Sequence, residues 1–470
     1  MKNDVTITHR DYDKNMSLWV KVQDVCDGQD AVKEKTTDYL CKPNPQDISH
    51  EANLRYKNYL NRAVFYNFTR RTLQSMIGAA FKKVPKLEIP TILDYIKNDI
   101  DGSSLSIYQQ SQKVLSEVLK KGRTVLYVDY PTVDANLVSV ADLQNGYIRP
   151  VIIQLNAENV TYWETKRFGA SNKLSLVIIK EMAENPRDGF GYDLVEQYRV
   201  LRFDGYFYSV ELWRKGKTDW QLYQEATPVF DGAGRPFNEI PLIFVGSTNN
   251  SPDIDYSPML DIANVNLGHY ENSASYESLV FFCGQVQSWI GGLSEQWRDW
   301  LQKQGITIGA GSTLLLPDNS SFNFAQAEPN TLAFEAMKAK EQAMVAMGAR
   351  MVEKGSAVKT ATQSQNENEA EYSVLSLCVS NLNEAYLMCL DWMLRFLNVT
   401  ATINYEINQD FSDNSIDAQK ITALVNLYNS GKYSEIDLWQ QLRKYGLINP
   451  EKTDEDIKGE LENDMGSMNE

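Results

Sequence analysis

The sequence predicts an α+β protein in which helices flank a central block of strands. Three observations predict this class. Apolar residues recur at helical spacing through residues 50–121, alternate like strands through residues 124–247, and return to helical spacing from residue 258. The 470 residues are enough for two or three domains.

The N-terminal quarter predicts two helices. Residues 1–50 are polar and broken, with Trp19, Val20 and Val22 as a candidate anchor. Helical periodicity from residue 50 to residue 81 predicts one long helix with room for a kink. A second helix follows the turn at residues 101–104 and stops at Gly122, a residue type that favours helix ends.

Arginines are interleaved with the apolar residues of the first helix. They could form a face for nucleic acid, although salt bridges within an acidic protein are the simpler interpretation. The four residues are Arg55, Arg62, Arg70 and Arg71.

The central block predicts a mostly antiparallel sheet, because turn pairs separate its strand-like runs. The runs cover residues 124–130, 151–155, 174–180, 194–203, 206–213 and 242–245. Between two of them, residues 187–191 read RDGFG. This order differs from the DFG motif of kinases, so we interpret it as a hairpin turn.

A helix–insert–helix pattern follows the sheet. Pro258 suits the first turn of a helix that extends to about residue 282, and a second helix covers residues 332–352. The insert at 283–328 predicts a strand at 286–290, a helix at 294–304 and a strand at 312–316. It carries Trp289, Trp297 and Trp300, which predict either a small core or a docking surface.

A polar break at residues 354–363 separates the second of these helices from another at 367–397. The earlier helix has a methionine stripe, formed by Met337, Met344, Met347 and Met351. The later helix keeps alternating three-four spacing, which holds one apolar seam on one face. The seam comprises Tyr372, Leu375, Val379, Leu382, Tyr386, Cys389, Met393 and Phe396.

The C-terminal region predicts a strand at 400–407 and helices at about 416–429 and 434–445, followed by an acidic tail from residue 450 that we expect to fray. No stretch approaches the roughly 18 apolar residues of a membrane span, and the first residues lack the apolar core of a signal peptide. We therefore expect a cytoplasmic protein without a membrane partner.

Composition disfavours several functions. Hydrophobic residues make up 43% and charged residues 23%, and the formal net charge is −16. A surface this acidic repels phosphate, which excludes tight nonspecific DNA binding but not the passage of DNA. The five cysteines are odd in number and lack a CxxC pair, which predicts reduced and mostly buried thiols.

Catalytic motifs are not evident in the sequence. Three histidines lack metal-ligand spacing, and His269 is interpreted as a packed helix residue. No phosphate-binding loop and no GxSxG elbow occurs. Asp253, Asp255 and Asp261 could bind a cation only if other ligands converged on them. We expect no enzyme activity, no cofactor and no metal.

Seven segments carry a family resemblance, in order over about residues 15–445. They are RAVFYNFTRRT (62–72), DGSSL (101–105), EVLKKGRTVLYVDYP (117–131), AENVTYW (157–163), IPLIFVG (240–246), PMLDIANVNLGHY (258–270) and MGARM (347–351). Together they resemble the tailed-bacteriophage portal family. The sequence departs from the family within residues 272–276, where an acidic residue would be more usual than Ser275.

The resemblance implies a portal fold with these parts in chain order. A wing of helices and strands would cover 1–257, a first stem helix 258–282, a small α/β clip 283–328, and a second stem helix 329–352. A tunnel loop would follow at 353–366, then a long wing helix and strand at 367–411 and a helical crown at 412–470.

The resemblance also implies a function as the head–tail connector, a homo-oligomeric ring of about twelve subunits at one capsid vertex. Its channel would serve genome packaging and ejection of double-stranded DNA without sequence specificity. Tunnel-loop candidates for weak phosphate contact are Lys354, Gly355, Ser356, Lys359, Thr360, Thr362, Gln363 and Gln365.

Implied partners are the terminase large subunit, which supplies ATP hydrolysis, and then a head–tail adaptor, both docking on the clip tryptophans. The major capsid and scaffolding proteins would be further partners. The expected location is the virion portal vertex, after assembly in host cytoplasm. The alternative is a capsid-associated coiled-coil adaptor without a channel.

Overall fold

The computed structural model describes residues 5–130, 148–187, 189–216, 219–284, 287–304, 319–325, 330–352, 373–409, 411, 424–428, 430–432, 434–444, 448–449 and 452–467. The chain divides into two compact units, Met1–Gln409 and Asp410–Glu470. The fold class is α+β, as predicted. Among the described residues, no helix is both long and apolar enough to cross a bilayer.

The first unit begins with four helices: α1 (Arg10–Asp27), α2 (Gln29–Glu34), α3 (His50–Arg62) and α4 (Phe68–Ala80). The prediction of a broken N-terminus was wrong, because His9 caps α1 by accepting the Asp11 backbone N–H and the helix buries Trp19 and Val22.

The prediction of one helix from 50 to 81 was also wrong. Ala63 leaves the helical conformation, at φ −55° and ψ 134°. Asn67 then starts α4 by accepting the Arg70 backbone N–H.

Helix α5 (Ile107–Lys121) begins at a capping box formed by Ser106 and Gln109. It ends at Gly122, which adopts the left-handed conformation at φ 69° as the sequence predicts. A Cβ on Gly122 would lie 2.4 Å from the Asp255 carbonyl oxygen, so glycine also permits a close backbone approach here.

Two antiparallel sheets follow. The first contains β2 (Arg123–Asp129), β3 (Val151–Asn156) and β9 (Leu242–Gly246), in the order β3-β2-β9. The second is a five-stranded meander in sequence order. It consists of β4 (Val160–Phe168), β5 (Ser171–Pro186), β6 (Tyr192–Phe203), β7 (Tyr208–Lys215) and β8 (Trp220–Pro228). The RDGFG segment connects β5 to β6 and is therefore a hairpin turn, as interpreted from the sequence.

Sequence patterning missed the two edge strands of the meander, β4 and β8. Strand β8 is mostly exposed on both faces, so its side chains show no apolar alternation. The outer half of β4 is likewise exposed and rich in charged residues. Sequence patterning also missed the short strand β1 (Lys86–Glu88), which pairs with β12 (Asn404–Glu406).

The helix–insert–helix region consists of α6 (Leu260–Gly284), β10 (Gln287–Gly291), α7 (Glu295–Gln304), β11 (Ser321–Ala325) and α8 (Leu332–Val352). Strands β10 and β11 pair with each other in antiparallel register. The strand expected at 312–316 lies outside the described residues.

Helix α9 (Val374–Phe396) begins after Ser373, whose side chain accepts the Ser376 backbone N–H. The predicted start at residue 367 is therefore too early, since Ser373 itself is extended. The described seam residues of α9 are buried at 1% exposure or less against the rest of this chain. Tyr372, the first predicted seam residue, lies outside the described residues.

The second unit contains α10 (Glu435–Lys444) and α11 (Asp454–Ser467). The expectation of a frayed tail was wrong for 454–467. Thr453 accepts the Asp456 backbone N–H, and acidic residues fill the first turn of α11. Most of the helix expected at 416–429 lies outside the described residues.

Candidate functional site

Helix α6 starts from a fixed point in the body of the first unit. The Ser257 hydroxyl donates to the Lys120 carbonyl at 2.6 Å, and the Met259 N–H donates to the Leu119 carbonyl at 3.2 Å. Both acceptors belong to the last turn of α5, where carbonyls lack helical partners. The start of α6 is therefore attached to the end of α5.

The first half of α6, residues 260–274, is part of the body core. Its buried residues include Ile262, Tyr270 and Ala274, each at 0% exposure. Burial raises the pKa of Tyr270 to about 12. These contacts place the buried side chains of the first half inside their own chain.

Two polar side chains of this half hold the segment between α3 and α4. Asn266 Oδ1 accepts the Thr69 N–H at 3.1 Å and the Thr69 hydroxyl at 3.0 Å, while its Nδ2 donates to the Tyr66 carbonyl at 2.8 Å. Ser273 Oγ donates to the Val64 carbonyl at 2.8 Å. This bonding satisfies the backbone where the predicted single helix is interrupted.

His269 lies between the two helices as a packed residue, as the sequence suggested. It is fully buried, with its Nε2 3.3 Å from Oε1 of Glu341 on α8. The rings of Tyr66 and Phe68 approach it edge-on, at 5.4 and 5.6 Å. Burial lowers the pKa of His269, and the nearby Glu341 carboxylate only partly opposes this.

Helices α6 and α8 form an antiparallel pair. His269 faces Glu341, and about two turns further along α6 Tyr276 faces Phe334 with ring centroids 5.9 Å apart. The residue number of the contact therefore rises along α6 while it falls along α8, as expected of antiparallel helices. Met337 and Met344 are buried, and a Cβ on Gly348 would lie 3.0 Å from Thr72 Cγ2, so α8 also packs closely on α4.

The second half of α6, residues 275–284, is partly exposed, and residues 280–282 expose three apolar side chains. Val280 is 49% exposed and Phe282 68% exposed, and the facing start of α8 exposes Leu332 at 70% and Phe334 at 51%. A groove of about 330 Å³ lies between the two helices at this end, lined largely by Tyr276, Leu279, Val280, Cys283 and Phe334. We call this exposed region the distal end of the pair.

Sequence analysis did not single out the distal end. The available signal was residues 279–282, LVFF, which place apolar side chains around the whole helix instead of along one stripe. A helix that is apolar all round has to be covered on more than one side.

The insert between the two helices carries the three predicted tryptophans. Trp289 on β10 is 48% exposed and Trp300 on α7 is 50% exposed. Trp297 lies against Trp300, with ring centroids 5.2 Å apart at 72°. None of the insert residues whose exposure is described is buried. Trp289 and Trp300 are thus half-exposed, and Trp297 packs on Trp300.

The predicted tunnel-loop residues lie outside the described residues: Lys354, Gly355, Ser356, Lys359, Thr360, Thr362, Gln363 and Gln365. The structure does not test their role. The loop would begin where α8 ends, at Val352.

Most of the interleaved arginines have structural partners. Arg70 donates to the Cys26 and Asp27 carbonyls at the end of α1. The Arg62 guanidinium lies 3.7 Å from the Phe281 ring centroid, and Arg55 pairs with Asp47 at 3.1 Å. These contacts favour the salt-bridge and packing interpretation over a nucleic-acid face.

Two of the three candidate cation ligands have local partners. Asp255 Oδ2 accepts the Thr248 and Asn249 backbone N–H groups, and Asp261 accepts the Tyr256 hydroxyl at 2.8 Å. Within the described ranges, no group of three His, Cys, Asp or Glu side chains is arranged to hold a metal ion. Burial raises the pKa of the Cys26 thiol to about 11 and of Cys378 to about 12, which keeps both protonated.

The family profile described as "Domain of unknown function (DUF4055)" matches residues 258–397, from α6 through α9. No curated protein matches the chain.

Several solved structures resemble the chain at low identity. A chain in "Virion of native gene transfer agent (GTA) particle" has 13% identity, with 83% of this chain and 92% of that chain covered and a TM-score of 0.40. A chain in "Neck of native GTA particle computed with C12 symmetry" has 14% identity, with coverages of 81% and 90% and a TM-score of 0.39. TM-scores this low do not establish a shared fold.

Proposed function

We propose that this protein is a phage portal subunit, one of about twelve copies that form a ring at a single capsid vertex. The observation that carries the proposal is the helix–insert–helix at residues 260–352. Two antiparallel helices leave a packed body, expose apolar side chains at their far end and carry a small tryptophan-bearing insert there. This order agrees with the stem and clip that the sequence resemblance implies.

The distal end supplies the main contact between subunits in this proposal. Five large apolar side chains are exposed there, three on α6 and two on α8, including Phe282 and Leu332. An apolar surface of this kind is typical of an association site. In a ring, each distal end would pack against the next copy, and the repeated helix pairs would surround a channel.

The channel would pass double-stranded DNA in packaging and ejection. With a net charge of −16, the chain offers little nonspecific attraction to phosphate, which suits a passage through which DNA must slide. Lys354 and Lys359 would supply weak contacts from the tunnel loop. The chain would carry no catalytic activity itself, and ATP hydrolysis would come from terminase.

The insert would be the docking platform. Trp289 and Trp300 are half-exposed and Trp297 packs on Trp300, and aromatic side chains are enriched where protein partners bind. Terminase would dock there during packaging and a head–tail adaptor afterwards. Capsid and scaffolding proteins would contact the ring elsewhere in the virion vertex.

The alternative, a coiled-coil adaptor without a channel, is disfavoured by α9. Its apolar seam is the natural coiled-coil surface, yet Leu375, Leu382 and Met393 are each 0% exposed within this chain. A seam already covered by its own fold cannot pair with a second chain.

The decisive experiment is the mass and shape of the purified full chain. Native mass spectrometry should give a closed oligomer, and negative-stain images down its axis should show a ring with a central hole. A monomer or dimer at every concentration and salt condition tested would reject the portal proposal.

The loop role has a separate test in assembled particles. Replacing both Lys354 and Lys359 with Ala should reduce the DNA packaged or retained per head, while rings still form. Lys432→Ala, an exposed lysine of the second unit, serves as the control. Unchanged packaging and retention would remove the two lysines from the mechanism.

A further inference from the structure

The β5–β6 hairpin extends beyond its sheet. Strand β4 pairs with β5 only as far as Ile179, and β7 pairs with β6 only from Gln197 onward. Strands β5 and β6 nevertheless continue to pair with each other out to Pro186 and Tyr192. Residues 181–187 and 189–196 thus form a two-stranded ribbon, and among the described residues no strand lies along either of its edges.

One face of the ribbon exposes three large apolar side chains. Residues that are paired across an antiparallel ladder share a face, so Met182, Glu184, Tyr192 and Leu194 point the same way, together with Glu196, which is ion-paired with Lys180 and Lys215. Met182 is 52% exposed, Tyr192 53% and Leu194 59%. We call Met182, Glu184, Tyr192 and Leu194 the ribbon face.

The ribbon face continues a packed surface. Alternate residues of a strand share a face, so Ile178 and its partner Val200 lie on the same side as Met182. Closer to the body this side is covered, because Ile178 and Val200 pack with Val5 and Tyr198 in one buried cluster. This side of the two strands therefore runs from a covered apolar part to an uncovered apolar part, with the Lys180–Glu196 ion pair between them.

A ribbon of this kind needs a cover. Isolated two-stranded hairpins are marginally stable in water, and their free edges and apolar faces are typical sites of association. Glu184 adds a carboxylate to the face, and no described residue pairs with it. A suitable cover would therefore be apolar and basic.

The same chain exposes two lysines beside an apolar side chain elsewhere. After α4, Val84 is 78% exposed, and Lys82 and Lys83 beside it are exposed and form no ion pair with a described residue. Their charge is opposite to that of Glu184, and Val84 could cover part of the ribbon face. We call residues 82–84 the basic patch.

We propose that the ribbon face of one subunit docks on the basic patch of a neighbouring copy of this chain. The contact joins two different surfaces, so it is heterologous, and repeated around an axis it closes a ring. The inference rests on the proposed ring and adds a second subunit contact, outside the stem.

A photo-crosslinker at position 194 tests the contact directly. Rings are assembled from a mixture of ¹⁴N and ¹⁵N chains in which Leu194 is replaced by p-benzoylphenylalanine. Mixed-isotope crosslinked peptides should join position 194 to the segment around residues 82–84. The same replacement at Leu222, 45% exposed on β8, is the matched control.

The outcomes separate the two proposals. If rings form but position 194 crosslinks to another segment, to another protein, or no more than position 222 does, the ribbon contact is rejected and the portal proposal stands. If the unmodified chain forms no ring, the portal proposal fails and this inference fails with it.

Charge exchange gives an independent measurement. Glu184→Lys and Lys83→Glu should each raise the concentration for half-maximal ring assembly by at least about tenfold, because each juxtaposes like charges. The double variant should recover most of that loss. All of these side chains are exposed, so circular dichroism spectra should match the wild type. If the two substitutions weaken ring assembly additively in the double variant, the proposed pairing of Glu184 with Lys83 is rejected.

Discussion

The two halves of α6 have the same backbone conformation and opposite surroundings. Residues 260–274 include eight buried side chains, whereas Val280, Phe281 and Phe282 in the second half are 39–68% exposed. Apolar character is high in both halves. The difference teaches that the hydrophobicity of a helix does not reveal whether its apolar side chains are buried within their own chain.

Polar residues distinguish the halves more clearly. In the first half Asn266, His269 and Ser273 are buried, and each bonds to a neighbouring segment of the same chain. A buried polar group with fixed partners specifies one packing arrangement. In the second half the Tyr59 hydroxyl lies 3.1 Å from Ser275 Oγ and Arg62 lies over the Phe281 ring, whereas Val280 and Phe282 remain exposed.

The largest expected effect is the loss of core packing in the first half. Ile262→Ala should lower the free energy of unfolding by about 2–5 kcal/mol, since the side chain is 0% exposed and its removal leaves a cavity. Urea denaturation monitored by circular dichroism measures this. Val280→Ala, at 49% exposure on the same helix, should change it by less than about 0.5 kcal/mol. Equal losses in the two variants would erase the distinction between the halves.

Sequence periodicity predicted much of this arrangement. Helix α8 runs from Leu332 to Val352, the bounds expected from its apolar and methionine spacing, and six strands of the two sheets lie where alternation placed them. Local sequence patterns predict these elements because the secondary-structure propensity of each segment agrees with its burial pattern in the fold.

The failures have a different cause. The interruption at residues 63–67 depends on Asn266 and Ser273, about 200 residues further along the chain. The polar edge strand β8 pairs through its backbone and gives no alternation. For the candidate site, the tryptophans were found from composition, but exposure of the distal end depends on what α8 leaves uncovered. A short stretch of sequence therefore cannot predict the exposure of the distal end.

The second effect concerns the polar attachments of the first half. Asn266→Ala should cost about 1–3 kcal/mol, because buried donors and acceptors on Thr69 and Tyr66 lose their partner. Thermal or urea unfolding gives the difference. Asn264→Ala is the matched control, since Asn264 is exposed and its side chain accepts a single 3.4 Å contact from the described residues, from Lys21. A stability loss as large for Asn264 as for Asn266 would contradict the assignment.

The third effect should appear in assembly and not in folding. Phe282→Ser should raise the concentration for half-maximal ring assembly by at least about tenfold, because Phe282 is 68% exposed in the monomer and would be covered in the ring. Its unfolding midpoint should match the wild type. Met388→Ser, 42% exposed on α9, should leave both quantities unchanged. Normal assembly of the Phe282 variant would mean that the distal end is not a subunit contact.

The smallest effect is a pH dependence at the boundary between the halves. Burial lowers the pKa of His269, so the unfolded chain takes up a proton at a higher pH than the folded chain does. Stability should therefore fall as pH drops through the ordinary histidine value of about 6.5. In His269→Gln this part of the slope should disappear between about pH 7.5 and pH 5.5. An unchanged slope in His269→Gln would show that α6 and α8 separate enough at this point for His269 to titrate as it does in the unfolded chain.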